Sequence, residues 1–330
     1  MFQVASGVGV LATLLLLSGC DPKNGKAETS PQAPRESSFA TDREADEVKP
    51  VAFDAKRAVG YLEEVCKIGP RISGTEGMRK QQELLVKHFE KLGGKVQKQT
   101  FKARQLSQRD PVEMTNLIVS WHPDRPRRVI LCSHYDTRPI ADQEPDVRNW
   151  RKPFLSANDG GSGVALLMEL AHHMKELKCQ VGIDFVFFDG EEYIFDNNRD
   201  RYFFGSDHFA QDYAKGRPKF KYVAALLFDM IGGKGARFPA ERNSLFHAGP
   251  LVAEVWKVAA ELRCNAFQDI PGPTVEDDHL ALNRAKIPAI DIIDFSYKHW
   301  HRLTDVPDNC SGESLAQVSK VVSVWLQRIK

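Results

Sequence analysis

The 330-residue sequence has no Cys-x-x-Cys pair, no Gly-x-Ser-x-Gly turn and no phosphate-binding Gly-x-x-x-x-Gly-Lys-Ser/Thr loop. The first absence removes the usual cysteine zinc modules, and the second removes the strand-to-helix turn of serine hydrolases. The third removes P-loop nucleotide chemistry, because Gly232-Gly233-Lys234-Gly235 has neither the spacing nor the hydroxyl after Lys. Gly160-Gly161-Ser162-Gly163 fits no dinucleotide-binding pattern. There is also no excess of one charge: 45 basic residues face 44 acidic ones, a formal charge of +1. A chain so balanced carries no general field for nucleic acid, and no basic stripe or aromatic-basic signature appears. The remaining composition, 42% hydrophobic and 27% charged, is that of an ordinary globular protein.

Long apolar runs are scarce as well. Residues 7–17 (GVGVLATLLLL) form one too short to span a bilayer comfortably. The run ends in Leu17-Ser18-Gly19-Cys20, which resembles a bacterial lipobox, although MFQVASGVG lacks the usual positive charge. The reading is a lipoprotein signal peptide over 1–20, with lipidation at Cys20. Residues 21–50 are rich in Pro, Ser and charge and nearly empty of large apolar side chains. Such a stretch buries too little surface to offset its ordering entropy, so it reads as a disordered tether. The expectation is an exported protein, lipid-anchored to the cell envelope, with no other membrane contact and a catalytic domain over 51–330. Of six cysteines, five remain after Cys20. That odd number assigns no disulfide pairing, and Cys132, within VILCSH, reads as a small buried residue.

From Phe53 onward, helical and strand periodicities alternate. Strands are expected at 96–101, 116–121, 129–132, 183–188, 223–228 and 287–293, several as continuous β-branched and aromatic runs suited to burial on both faces. Helices are expected at 55–65, 76–92, 162–177, 205–213, 251–262, 277–284 and 315–329. The alternation indicates one α/β domain with a mixed, mostly parallel sheet whose first strands form a hairpin.

Side chains able to bind metal cluster where such a sheet would present them. His134 and Asp136 follow one strand, Glu191 and Glu192 another, and Asp229 ends a third. Ligands bind open α/β sheets at the carboxyl ends of their strands. Asp159 precedes a helix, in NDGGSG, and His301 lies in a loop, in KHWHRLTD. Taken singly, Asp159 reads as a helix cap and His301 as a surface residue. Together, mixed imidazole and carboxylate donors suit Zn2+, one ion or two with Asp159 as a bridge. Asp136 is placed to hold the His134 imidazole in its metal-binding tautomer. Glu191 neighbours the ligand Glu192 but diverges from it on extended chain, which suits a general base.

SHYDT, NDGGSG, DGEE, DMIG and WHRLTD, in that order, resemble the co-catalytic zinc aminopeptidases and their relatives, the glutaminyl-peptide cyclotransferases. The resemblance runs from about Phe53 to the C-terminus. It implies a phosphorylase/hydrolase-like three-layer α/β/α sandwich. It implies one metal site of Asp159, Glu192 and His301 and a second of His134, Asp159 and Asp229, with Glu191 as acid/base. The substrate would be the N-terminus of a peptide or protein.

Both branches share these residues, and other features lean toward the cyclases. The segment from Glu191 to Gly205 is long, as in cyclases. Glu276-Asp277-Asp278-His279 resembles the cyclase acidic pair, which implies that Asp277, with Asp229, joins a network around Glu191. Trp300 directly precedes His301 and would line the substrate pocket. Gly160-Gly161 instead resembles the peptidase version. Asn197 and Ser296 stand where animal cyclases carry pocket aromatics, with Phe295 adjacent to the latter, so a differently shaped pocket is expected. The leading reading is a zinc-dependent cyclase converting N-terminal Gln to pyroglutamate with release of ammonia. The alternative is a zinc aminopeptidase, and a third reading is a binding lipoprotein with a degenerate site.

Overall fold

The apolar runs pair edge to edge as their composition requires. The computed structural model describes residues 48–330, so Cys20, the signal peptide and most of the tether lie outside the described residues. Its strands are β1 (Lys95–Ala103), β2 (Val112–Trp121), β3 (Arg127–His134), β4 (Gly182–Phe188), β5 (Lys221–Asp229), β6 (Phe238–Ala240), β7 (Phe267–Pro271) and β8 (Ala289–Ile293). Six of them form one sheet in the order β1-β2-β4-β3-β5-β8, and β6 and β7 form a separate parallel pair. β1 and β2 are the expected hairpin, and β2 also runs antiparallel to β4. β4, β3, β5 and β8 are mutually parallel. The sheet is therefore mixed and mostly parallel.

The helices are α1 (Ala55–Lys67), α2 (Glu76–Lys91), α3 (Ser162–Met174), α4 (Phe204–Gly216), α5 (Arg242–Glu261), α6 (His279–Arg284) and α7 (Gly312–Arg328). Alternation along the strands assigns them to two layers. Val129 and Leu131, Phe185 and Phe187, and Leu226 and Phe228 share one core with residues of α1, α2, α3, α5 and α7. Ile130 and Cys132, Val186 and Phe188, and Ala225 and Leu227 share the other with Phe209 of α4 and Leu282 of α6. Burying one such side chain contributes ~1.5–3 kcal/mol, so a strand covered on both faces is held far more firmly than an edge. β3, β4 and β5, whose ends carry or precede the candidate donors, are among the covered ones. Cys132 is buried, as expected, and the five cysteines among the described residues are free thiols. Among the described residues no helix is long and apolar enough to cross a membrane.

Three local differences from the periodicity have physical causes. α5 begins nine residues before the expected Leu251, because Pro250 marks a kink rather than a start. Ala248 there leaves helical geometry at φ −141°. α6 begins at His279, which leaves Asp277 in the preceding loop. β6 and β7, three and five residues long, are too short for a period to register.

Candidate active site

Four parallel strands deliver their carboxyl ends to one edge, and the expected ligands meet there. His134 is the last residue of β3 and Asp229 the last of β5, while Glu191 and Glu192 follow β4. Asp159 precedes α3, and His301 sits in the loop after β8 with a left-handed φ of 51°. Five of the six are buried and Asp229 is half-buried. Two triads place one donor atom of each member within 4.8 Å of the others: Asp159, Glu192 and His301, and His134, Asp159 and Asp229. A third combination joins His134 to Glu191 and Glu192. His301 Nε2 lies 2.5 Å from Glu192 Oε1 and 3.5 Å from Asp159 Oδ2. His134 Nε2 lies 3.1 Å from Asp159 Oδ1 and 3.2 Å from Asp229 Oδ1.

The donor set fits a divalent cation. Asp159 Oδ2 and Glu192 Oε2 are buried without a hydrogen-bond partner, an arrangement that is costly unless something positive is held between them. Burial alone would lower both histidines. The surrounding carboxylates reverse this, raising His301 to about 9 and His134 well above its ordinary value. A site that gathers a proton so strongly has negative charge to spare for a metal ion. Nitrogen and oxygen donors in this number suit zinc.

Glu191 stands apart from the Asp159 triad. Its Oε2 is 3.7 Å from His134 Nδ1, and it faces a cavity of about 240 Å³ together with Asp229 and Asp277. Burial, then the charge of Glu192, pushes its carboxyl well above the usual range. Burial and the Asp229 carboxylate do the same to Asp277. Trp300 forms part of the wall, its ring 4.1 Å from that of His301 and 5.1 Å from that of Phe295. Tyr202 and Phe203 close another side.

Asp136 lies beside His134 as expected, but its short hydrogen bonds go to backbone. Its Oδ1 is 3.7 Å from His134 Nδ1, beyond hydrogen-bond length, and that ring nitrogen has no partner. The carboxylate instead accepts the backbone N–H groups of Glu191 and Glu192, each at 3.1 Å. It therefore fixes the chain that bears both glutamates. Gly160 explains its own presence: its φ is 71°, and a Cβ there would lie 2.8 Å from His134 Cε1 and from the Asp136 carbonyl.

Three supporting residues were missed in the sequence. Asp142 accepts from Nδ1 of His301 at 2.8 Å and from the Asn197 amide at 2.7 Å. Burial opposes its ionisation, but His301, Arg138 and Asn197 hold it well below the usual carboxylate range. Arg138, fully buried, donates to Asp142 and to the Tyr202 hydroxyl, each at 3.0 Å, and lies 3.6 Å from Glu192. Asp305 accepts from the N–H groups of Asn158 at 2.9 Å and Asp159 at 3.2 Å. The only available signal was the aspartate inside WHRLTD. Asn197 joins the Arg138–Asp142 network, while Phe295, adjacent to Ser296, lines the cavity.

The peptidase family M28 profile matches residues 116–326. The chain belongs to this family. Among solved structures, the fold is similar to that of a Fimbriiglobus ruber glutaminyl cyclase, with 54% identity, 86% of this chain and 97% of that chain covered, and a TM-score of 0.84. It is also similar to a leucine aminopeptidase precursor from Bacteroides thetaiotaomicron, at 31% identity over 84% of this chain and 98% of that one, with a TM-score of 0.79. A bovine glutaminyl-peptide cyclotransferase-like protein is 23% identical over 246 residues, which are 66% of this chain. The match spans 61% of that curated relative's length. The M28 assignment agrees with the sheet order, the two helical layers and the clustered metal donors.

Proposed function

We propose that the chain is a zinc-dependent glutaminyl-peptide cyclotransferase that converts an N-terminal Gln to pyroglutamate with release of ammonia. The observation that carries this reading is the 54% identity to a glutaminyl cyclase over nearly the whole of that chain. The geometry supports it: a free glutamate, two further acids and an aromatic wall surround one small cavity beside a complete ligand triad.

Asp159, Glu192 and His301 would hold the ion, with His134 and Asp229 available for a second. Bound zinc supplies Lewis-acid polarisation of the substrate's γ-carbonyl. The α-amine nitrogen then forms a bond to the side-chain carbonyl carbon, Cδ, while the bond from that carbon to the amide nitrogen breaks. Glu191 takes a proton from the amine and gives it to the departing nitrogen, which leaves as ammonia. A carboxyl raised by burial is matched to carrying that proton in both directions. Asp229 and Asp277 tune Glu191 by their charge, and Trp300 folds the Gln side chain back on its amine.

Hydrolysis by an aminopeptidase is the second reading. It is favoured by the leucine aminopeptidase neighbour and by the second triad of His134, Asp159 and Asp229. Gln-Ala-type and Leu-Ala-type peptides, assayed in parallel, decide between the two. Ammonia and a blocked N-terminus from the first, with little free leucine from the second, is the expected result; rapid leucine release without ammonia reverses the assignment. Export with a lipid on Cys20 belongs to the same proposal, supported by Leu17-Ser18-Gly19-Cys20. Mass spectrometry of the mature N-terminus tests it, and an unmodified N-terminus elsewhere overturns it.

A further inference from the structure

Two cavities open at the carboxyl ends of the parallel strands, and their charges are opposite. The active-site cavity is lined by Asp159, Glu191, Glu192, Asp229, Glu276 and Asp277. Its neighbour, of about 390 Å³, is lined by Lys234, Arg237 and Lys298, with Asp294 as its one acidic side chain. That volume falls within the ~300–1,000 Å³ common for ligand clefts. Among the described residues none of the three cations takes part in an ion pair. Asp294 is already engaged, its Oδ1 accepting from the Ser296 N–H at 3.1 Å and the Ser296 hydroxyl at 2.5 Å. The cleft is therefore positive, and its cations are exposed and available.

The same two loops build both cavities. The chain leaving β5 supplies Asp229 to one and Lys234 and Arg237 to the other. The chain leaving β8 forms the partition: Phe295 and Trp300 face the active site, whereas Ser296, Tyr297 and Lys298 face the basic cleft. Two successive turns hold this partition, with Tyr297 N–H on the Asp294 carbonyl and Trp300 N–H on the Tyr297 carbonyl, each at 3.2 Å. The Tyr297 hydroxyl donates to Asp305 at 2.8 Å, which ties the partition to the backbone beneath Asp159.

We propose that the basic cleft receives acidic side chains of the substrate peptide, which makes the enzyme selective for N-termini followed a few residues later by Asp or Glu. A peptide whose N-terminus enters the acidic cavity must leave over its rim, where Phe295, half exposed, stands on the same segment of chain as Lys298. The partition is one turning segment of chain, and a coiled segment with its side chains is ~10–12 Å across. Extended peptide crosses that in about three residues at ~3.3–3.6 Å each. The third to fifth substrate residues then lie over Lys234, Arg237 and Lys298. The pairing of a negative cavity for the ammonium end with a positive one downstream orients the peptide before contact. The inference rests on the proposed reading only in needing a peptide N-terminus in the active site, which a cyclase and an aminopeptidase share.

The test uses zinc-loaded enzyme carrying Glu191→Gln, so that peptides bind without turnover. Gln-initiated hexapeptides bearing Glu, Ala or Lys at positions four and five are titrated by fluorescence anisotropy at low and high salt. The acidic peptide is expected to bind ~3–10-fold more tightly than the neutral one, as for a few exposed ion pairs, and the basic peptide more weakly than either. Salt should close the gap. Adding Arg237→Glu and Lys298→Glu, both on the surface, should invert the order while zinc content stays the same. Equal affinities at low salt, or an unchanged order in the reversed variant, overturn the proposal. Repeating the series as turnover by the unmodified enzyme, with Gln and Leu first residues, separates the two questions. Leucine release with the acidic preference intact would remove the cyclase reading and leave the cleft standing.

Discussion

The imidazole of His301 places Nδ1 2.8 Å from Asp142 Oδ1. An ionised carboxylate only accepts, so Nδ1 carries the proton and Nε2 is left to face Glu192 and Asp159. Arg138 holds the other oxygen of Asp142 and the Tyr202 hydroxyl, so one guanidinium connects the candidate ligand His301 to the wall of the cavity.

Removing that support should be felt first in metal affinity. Asp142→Asn and Arg138→Met are each expected to weaken zinc binding by about 10–100-fold, the usual cost of losing a group that orients a ligand. Competition with a chromophoric chelator measures it directly. Arg138→Lys should recover part of the loss, because a charge returns without the fork. Unchanged zinc affinity in all three would remove Arg138 and Asp142 from the metal site.

The adjacent glutamates should separate binding from chemistry. Glu191→Gln is expected to keep its zinc and lose ~10²–10⁴ in turnover, the contribution of a general acid/base. Glu192→Gln should lose the metal. Metal analysis and initial rates on both variants decide the assignment, and the reverse pattern would exchange the two roles.

Trp300 packs on His301 without ligating, so Trp300→Ala should raise KM and slow cyclisation while zinc content stays level. A fall in zinc equal to the fall in rate would make the tryptophan a support for His301 rather than a wall of the pocket.

Away from the site, Glu241 predicts a pH dependence of stability. Burial pushes its carboxyl up. His279 and the N–H groups of Val275, Asn243 and Ser244 more than reverse this, taking it from 4.5 to about 2. A depressed folded value means stability present above the unfolded value and lost as pH falls from about 4.5 toward about 2. Glu241→Gln should therefore cost about 1–3 kcal/mol at neutral pH, and the difference from the unmodified protein should shrink across that window. Urea unfolding at pH 7, 4 and 3 measures it; a constant difference would contradict the linkage.

The strands and most helices were legible because their residues repeat with the period of the structure they form. The candidate donors were legible because β3, β4 and β5 end where their apolar runs end, which set His134, Glu192 and Asp229 at one end of the sheet. Arg138, Asp142 and Asp305 were not. They lie in loops without periodicity, and they act on residues that are distant in sequence. Asp136 is legible as a neighbour of His134, but its hold on the Glu191 and Glu192 N–H groups is not, since spacing along a strand says nothing about which backbone crosses above it.

The hold of Asp305 on Asn158 and Asp159 spans 146 to 147 positions of chain. A ribosome releases the middle of the protein long before it releases that aspartate, so Asp159 is held in its final position only after nearly the whole chain has emerged. On the proposed zinc reading, metal capture is a closing event of biogenesis. A nascent chain stopped short of residue 305 should assemble β1 to β5 and still fail to retain zinc.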